Sequence, residues 1–145
     1  MASPELDDDV AARLRTADQR YTRGRRRLIE ALRSGDGPLT IPQILATDRQ
    51  LSQSSVYRNL VVLEEVGVVT RIVTRDDFSR YELAEDLTGH HHHLICSSCG
   101  DVSDFSLEPR VEAALERALG AVAEKSAFSP AGHRLDLLGT CVSCR

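Results

Sequence analysis

The chain has 145 residues, of which 41% are hydrophobic, enough for one medium-sized domain or two small ones around a packed core. No apolar run approaches the roughly 20 residues that a membrane-spanning helix needs. The amino terminus is acidic and lacks the basic flank and apolar centre of a signal peptide. We therefore expect a cytoplasmic protein whose thiols stay reduced.

Charge is distributed unevenly along the chain. The formal net charge is −4, yet residues 1–80 carry 13 arginines against 12 acidic residues, whereas residues 81–145 carry 5 basic and 10 acidic residues. Five arginines of the first half crowd into eight positions: Arg20, Arg23, Arg25, Arg26 and Arg27. A net charge near zero can conceal a basic face, so nucleic-acid binding is compatible with this pattern, as is a solvated helix surface.

The first half predicts four helices, each preceded by a capping side chain or opened by acidic residues. Gln43 completes a capping box with Thr40 at the start of the third helix. The predicted helices cover about 7–17, about 23–34, a segment from Thr40 onward, and about 53–66.

Two β-prone segments follow the fourth helix. VVTRIV and SRYEL flank a polar tip and predict a β-hairpin. Three helices and a hairpin make a winged helix-turn-helix, in which the helix at 53–66 would enter the DNA major groove. Tyr57 and Arg58 stand near the face opposite its apolar stripe, although such a pair is also common in packing and salt bridges.

The second half predicts a small α/β domain. A strand over the histidine run, a CxxC turn, a second strand, a long helix after Pro109 and a last strand at about 133–138 follow one another. The fold class is therefore α+β, with a winged helix-turn-helix domain over 1–83, a hinge linker over 84–89 and a metal-binding domain over 90–145.

Four cysteines form two CxxC pairs, Cys96/Cys99 and Cys141/Cys144. One CxxC turn directs two thiolates at one ion, at about 2.3 Å, so two pairs match a tetrahedral structural zinc site. Because 41 residues separate the pairs, the ion would join the ends of a whole subdomain.

Four consecutive histidines, His90 to His93, stand before the first cysteine pair. Side chains alternate on a strand, so His90 and His92 would face one way, and His91 and His93 the other. One strand could thus serve two metal sites, unless the run is only an exposed polar edge. Chemically suitable partners on other elements are Asp104, Glu112 and His133.

Together these motifs resemble the ferric uptake regulator (Fur) family of bacterial metal-responsive repressors. The resemblance runs from about residue 14 to the end and rests on SSVYRNL, RYEL, HHHHLICSSCG and GTCVSC. It implies a homodimer that binds a palindromic operator in double-stranded DNA and represses metal-uptake or homeostasis genes when divalent metal is bound. It implies neither catalysis nor a small-molecule substrate, and the C-terminal domain would mediate dimerisation.

The resemblance also implies a role for each candidate residue. The structural zinc ligands would be Cys96, Cys99, Cys141 and Cys144. The hinge sensing site would comprise Glu82, His91, His93 and Asp104. A third site inside the dimerisation domain would comprise His90, His92, Glu112 and His133. DNA contacts would come from Ser54, Ser55, Tyr57 and Arg58 in the recognition helix and from Arg23 and Arg25.

The sensed metal is predicted to be zinc, as in a zinc uptake regulator, because His-rich sites suit zinc. Pro38 stands where iron and peroxide sensors commonly carry a histidine, and Ala84 where many zinc sensors carry a cysteine. An iron-, manganese- or peroxide-responsive regulator of the same family is the alternative. A zinc-stabilised interaction module without a DNA role is more remote, and a zinc hydrolase is disfavoured because the chain has no HExxH.

Overall fold

The computed structural model describes residues 4–145. Helices and strands alternate irregularly, and the predicted α+β class is confirmed. The elements in chain order are α1 (Pro4–Thr16), α2 (Arg23–Arg33), β1 (Leu39–Thr40), α3 (Ile41–Thr47), α4 (Gln53–Glu65), β2 (Val69–Val73), β3 (Ser79–Leu83), α5 (Glu85–Thr88), β4 (His92–Cys96), β5 (Val102–Phe105), α6 (Pro109–Lys125) and β6 (Asp136–Gly139).

Side-chain caps begin three of the helices, as the sequence predicts. In each case the cap oxygen accepts a hydrogen bond from a backbone N–H three residues further on, and the caps are Thr22, Thr40 and Ser52. Gln43 completes the capping box at α3. The first helix begins about one turn earlier than predicted, at Pro4, a residue well suited to the first helical position because its φ is already helical.

The winged-helix half has one apolar core between α1, α2, α3, α4 and the hairpin. Its fully buried side chains include Leu14, Leu28, Ile29, Ile44 and Leu63, each 0% exposed. The hairpin is extended to a three-stranded sheet in the order β1–β3–β2, with Leu39 opposite Tyr81. The sequence does not predict β1, because two residues are too few to show the alternation of apolar and polar side chains that marks a strand.

The second half contains a three-stranded sheet in the order β5–β4–β6. The central strand pairs antiparallel with β5 and parallel with β6. Strand β4 begins at His92, so His90 and His91 precede it and the strand is shorter than the sequence predicts. The last strand likewise begins at Asp136 rather than at His133.

Helix α6 leaves most of its apolar stripe uncovered in the single chain. Ala123 is its one buried residue, whereas Val111 is 49% exposed and Val122 is 62% exposed. Leu137 and Leu138 of the neighbouring strand β6 are each 60% exposed. An apolar surface of this extent marks an interaction site rather than a solvent-facing one.

The segment predicted as a linker forms the short helix α5, which is attached to the winged-helix half. Leu87 packs against the core of that half, and the N–H of Ala84 donates to Val68 O at 2.8 Å. Asp86 pairs with Arg13 of α1 at 2.5 Å. Between residues 4 and 145 the chain has no helix with the length and apolarity that a bilayer crossing requires.

Two glycines permit close approach of the two halves. A Cβ on Gly37 would lie 2.8 Å from the carbonyl oxygen of Val102 on β5. The hairpin of β2 and β3 is called the wing below. At Gly100, which has a φ of +75°, a Cβ would collide with the carboxylate of Asp76 in the tip of the wing. The wing and the CxxC turn are therefore in direct contact.

Candidate metal centres and nucleic-acid interface

The fold collects twelve potential metal ligands into three groups of four. Within the described part of the chain, one ligand atom from each member of a group lies within 4.8 Å of the other three. The groups are Cys96, Cys99, Cys141 and Cys144; Glu82, His91, His93 and Asp104; and His90, His92, Glu112 and His133. These are the same three sets that the resemblance implies.

Pairing of β4 with β6 brings the two cysteine pairs together. Cys96 lies opposite Gly139 in the parallel register, two residues before Cys141, and the N–H of Cys141 lies 3.3 Å from Cys96 Sγ. The Cys99 and Cys141 sulfurs are 3.8 Å apart. Hydrogen bonds from backbone N–H groups, that of Cys99 first, lower the pKa of Cys96 to about 6, which favours the thiolate that binds metal. Four converging free thiols fit a tetrahedral zinc ion.

The second group, called the hinge group below, joins the wing to the second sheet. Glu82 on β3 approaches two imidazoles with one oxygen, at 3.0 Å from His91 Nε2 and 3.2 Å from His93 Nε2. Asp104 lies opposite His93 in the β4–β5 register, and its Oδ1 is 3.7 Å from His93 Nε2. All three elements therefore direct donors at one point between the two halves.

Hydrogen bonds around the hinge group leave both Nε2 atoms facing the carboxylates. Nδ1 of His91 donates to Gly89 O at 3.0 Å, so Nε2 is the nitrogen that faces Glu82 and is left to bind a metal. Nδ1 of His93 is 3.4 Å from Asp136 Oδ1, an ion-pair distance without hydrogen-bond alignment. Sequence reasoning missed Asp136, because only the parallel register of β6 beside β4 places it there.

Mutual pairing shifts the pKa values in the hinge group. The hydrogen bond to Glu82 raises the pKa of His93 and outweighs the opposite effect of burial. Burial alone would raise the pKa of Glu82. The hydrogen bonds from His93 and His91 together outweigh this effect, so the pKa of Glu82 is lowered. Each imidazole and the carboxylate thus favour the charged form of the other.

The third group, called the α6 group below, surrounds the first turn of α6. Glu112 Oε2 is 2.8 Å from His92 Nε2, and its Oε1 is 3.1 Å from Nε2 of both His90 and His133. The two last nitrogens are 3.2 Å apart. Glu112 Oε1 is buried and has no aligned hydrogen-bond partner among the described residues. A buried oxygen in that position, with three imidazole nitrogens around it, fits a metal ion.

The outward face of α4 presents polar and aromatic side chains. Tyr57 is 54% exposed, and Arg58 and Ser54 are exposed on the same face. Ser55 is only partly exposed, and its hydroxyl accepts a hydrogen bond from Asn59 at 3.2 Å. Helix α4 follows α3 and a short turn, the arrangement in which the second helix of a helix-turn-helix reads base edges.

Two arginines of the cluster are paired with acidic side chains. Arg27 pairs with Asp48 at 2.6 Å, and Arg26 pairs with Asp7 at 3.3 Å. Arg23 is exposed. The basic face is therefore narrower than the five clustered arginines of the sequence suggest.

Arg25 does not have the exposure that a direct DNA contact requires. It is 9% exposed, and its guanidinium donates to Asn59 Oδ1 at 3.1 Å, Arg20 O at 2.5 Å and Gln19 Oε1 at 2.9 Å. Because Asn59 belongs to α4, Arg25 fixes α4 against α2. This contact is a positioning role, whereas the resemblance implies an approach of Arg25 to the DNA backbone.

This combination of a winged-helix unit and a ligand-rich second domain defines a class of two-domain transcriptional regulators. The model of the Ferric uptake regulator family matches residues 16–138. The chain is 32% identical to the ferric uptake regulation protein of Campylobacter jejuni, over 90% of this chain and 83% of that protein. It is 30% identical to the peroxide-responsive repressor PerR of Staphylococcus aureus, over 97% and 92% of the two chains.

Solved structures show the same fold. The ferric uptake regulator Fur of Helicobacter pylori, described with three functional metal-binding sites, aligns with a TM-score of 0.75 at 24% identity, over 97% of this chain and 91% of that one. A zinc-bound manganese uptake regulator aligns with a TM-score of 0.64 at 29% identity, over 93% and 98%. The protein belongs to the ferric uptake regulator family, whose members are transcriptional regulators and not enzymes.

The positioning role of Arg25 predicts a stability defect that its neighbour does not share. Arg25→Ala removes the donor of the part-buried hydrogen bonds to Asn59 Oδ1 and Arg20 O, and should lower the free energy of unfolding by about 1–3 kcal/mol. Arg23→Ala, on the exposed side of the same helix, should change it by less than about 0.5 kcal/mol. Urea unfolding followed by circular dichroism measures both, and equal midpoints for the two variants would contradict the assignment.

Proposed function

We propose that this protein is a cytoplasmic homodimeric repressor whose affinity for operator DNA depends on a bound divalent metal. The hinge group carries the proposal, because Glu82 belongs to the wing whereas His91 and His93 belong to the second sheet. An ion held by all three would favour one arrangement of the two halves. A coupling of about 1–3 kcal/mol between metal and DNA suffices for a useful switch.

The same proposal divides the chain into a DNA-binding domain over 1–83, a hinge over 84–89 and a dimerisation domain over 90–145. The exposed apolar side chains of α6 and β6 support the dimer, since a second copy of the same surface would cover them. A symmetric dimer presents two copies of α4, which matches a palindromic operator. Membership of the family supports repression of metal-uptake or homeostasis genes as the role of this dimer.

The cysteine group is proposed to hold a structural zinc. Its four thiols close the end of the second sheet, and the free energy of binding would be folding free energy, on the order of 10 kcal/mol. Metal binding to the hinge group would then regulate DNA binding, whereas metal binding to the α6 group would tune stability or metal affinity.

Cys99→Ser should remove the structural zinc and with it the closure between β4 and β6. We expect less than one zinc per chain after dialysis, together with unfolding of residues 90–145 or loss of the dimer. Metal analysis and size-exclusion chromatography with light scattering provide the measurements. Ser97→Ala, in the same turn but without a thiol, is the matched control. Full zinc content, unchanged melting and an intact dimer in Cys99→Ser would refute the structural role.

Tyr57 is proposed to contact bases and Arg23 to contact phosphates. Tyr57→Ala should therefore reduce the preference for operator over random DNA by about 1–3 kcal/mol per lost base contact. Arg23→Ala should weaken both DNAs alike and flatten the dependence of affinity on salt. Fluorescence anisotropy over a salt series measures both effects. An equal loss on operator and random DNA for Tyr57→Ala would exclude base reading by this residue.

Zinc is the proposed effector, because each group offers four donors, the number that zinc prefers. Half of the hinge group is nevertheless carboxylate, with Glu82 and Asp104 beside two imidazoles. Such oxygen donors also suit iron(II) and manganese(II), the effectors of the alternative within this family. The names of the relatives include ferric, peroxide-responsive and manganese regulators, and so leave the choice of effector to experiment.

The two histidine groups should have separable effects on DNA binding. His91→Ala removes a ligand that joins wing and sheet, so metal-activated binding should be abolished while the dimer persists. His92→Ala, one residue further, alters the α6 group and should cause a milder, graded loss. Operator titrations at buffered free zinc, iron(II) and manganese(II) test both variants and the effector together. Identical defects would end the two-group assignment, and activation by iron(II) at lower free concentration than zinc would favour the alternative.

A zinc-stabilised interaction module without a DNA role predicts a different result in the same titrations. Wild-type protein would then bind operator and random DNA equally weakly, with or without metal. Membership of a family of transcriptional regulators and the exposed face of α4 both favour the repressor.

A further inference from the structure

The contacts of α5 point to a metal-positioning residue in the hinge segment. Glu85, the first residue of α5, makes an ion-pair contact through Oε1 with His90 Nδ1. The same oxygen accepts a hydrogen bond from the backbone N–H of His91 at 3.3 Å. Glu85 is not a member of any of the three ligand groups.

The contact orients the ring of His90. With Nδ1 turned toward Glu85, Nε2 is the atom that faces Glu112 Oε1 and His133 Nε2. A carboxylate behind a ligating imidazole orients the ring and raises its basicity. Glu112 supplies the carboxylate that faces His90 Nε2. Glu85 contacts the other ring nitrogen, Nδ1, from which it can orient the ring.

Helix α5 gives this contact a second consequence. His92, Glu112 and His133 all belong to the second half of the molecule, whereas α5 is attached to the first half through Leu87, Ala84 and Asp86. The Glu85–His90 contact therefore crosses from one half to the other. The α6 group, expected to lie wholly inside the dimerisation domain, is linked to the hinge.

We propose that Glu85 is a positioning residue that orients His90 in the α6 group and thereby ties occupation of that group to the placement of α5. The inference rests on the proposed function, since it assumes that the α6 group takes a divalent ion. The inference goes beyond the proposed function because it gives the hinge a second metal-dependent restraint, in addition to the one through Glu82.

Cobalt(II) titration of the full-length zinc-containing protein tests the first half of the proposal. In a His91→Ala background, which disables the hinge group, the visible absorption of cobalt reports on the α6 group. Glu85→Gln should weaken cobalt binding by about 10–100-fold, the usual loss for such a carboxylate. Glu124→Gln, the same change at an exposed position near the end of α6, should alter it by less than about twofold.

A double-mutant comparison establishes that Glu85 acts through His90. In a His91→Ala, His90→Ala background, Glu85→Gln should cause no more than about a twofold further loss. An undiminished loss in that background, or no difference between Glu85→Gln and Glu124→Gln, would overturn the proposal.

Hydrogen exchange tests the link to the hinge. Cobalt should slow exchange at residues 85–89 in the His91→Ala protein, and Glu85→Gln should abolish this protection while leaving protection of α6 at saturating cobalt. Retained protection at 85–89 in Glu85→Gln would contradict the link. A wild-type protein that binds only one metal ion per chain would instead refute the proposed function itself.

Discussion

The central position of β4 in the second sheet is the constraint on which all three ligand groups depend. Cys96, at the end of β4, lies beside β6. At the start of β4, His92 points toward α6 and His93 toward the wing. Antiparallel pairing with β5 supplies Asp104, and parallel pairing with β6 supplies Asp136 and leads to Cys141. A slip of one residue in either pairing would exchange the two faces of β4 and separate each histidine from its partners.

The hinge group is held by strong interactions even before a metal ion is considered. Glu82 accepts from two imidazoles at once, and each partner stabilises the charged form of the other. Buried charges of this kind are tolerated because they are paired. A metal ion must therefore displace protons and replace existing contacts, so its net effect on the arrangement of the halves is a difference between two bound networks. Small changes in ligand type can then alter the response considerably.

Contacts outside the ligand groups also restrict the arrangement of the halves. The loop at Gly37 lies against the backbone of β5, and Asp76 of the wing lies against Gly100. Asp76 is itself paired with the buried Arg80, at 2.8 Å, so one carboxylate connects strand β3 of the wing to this contact. Because Gly100 directly follows Cys99, the shape of the cysteine turn and the placement of the wing are connected.

The sequence by itself determined the hairpin and the helices other than α5, and with the family resemblance it named the three sets of residues that the fold brings together. Caps at Thr22, Thr40 and Ser52 and the period of the apolar residues are local signals, and the spacing of the CxxC pairs is a chemical one. Alternation along the histidine run separated His90 and His92 from His91 and His93 correctly, even though β4 begins only at His92.

Only the tertiary structure decided the roles that depend on neighbours distant in the chain. Arg25 reads as one more basic residue in a cluster, but its burial against Asn59 makes it a support for α4. Asp136 behind His93 and Glu85 behind His90 carry no motif, because their positions follow from sheet register and from the attachment of α5. Local sequence encodes caps, periods and ligand chemistry, whereas the pairing of strands and the docking of helices decide which carboxylate stands behind which imidazole.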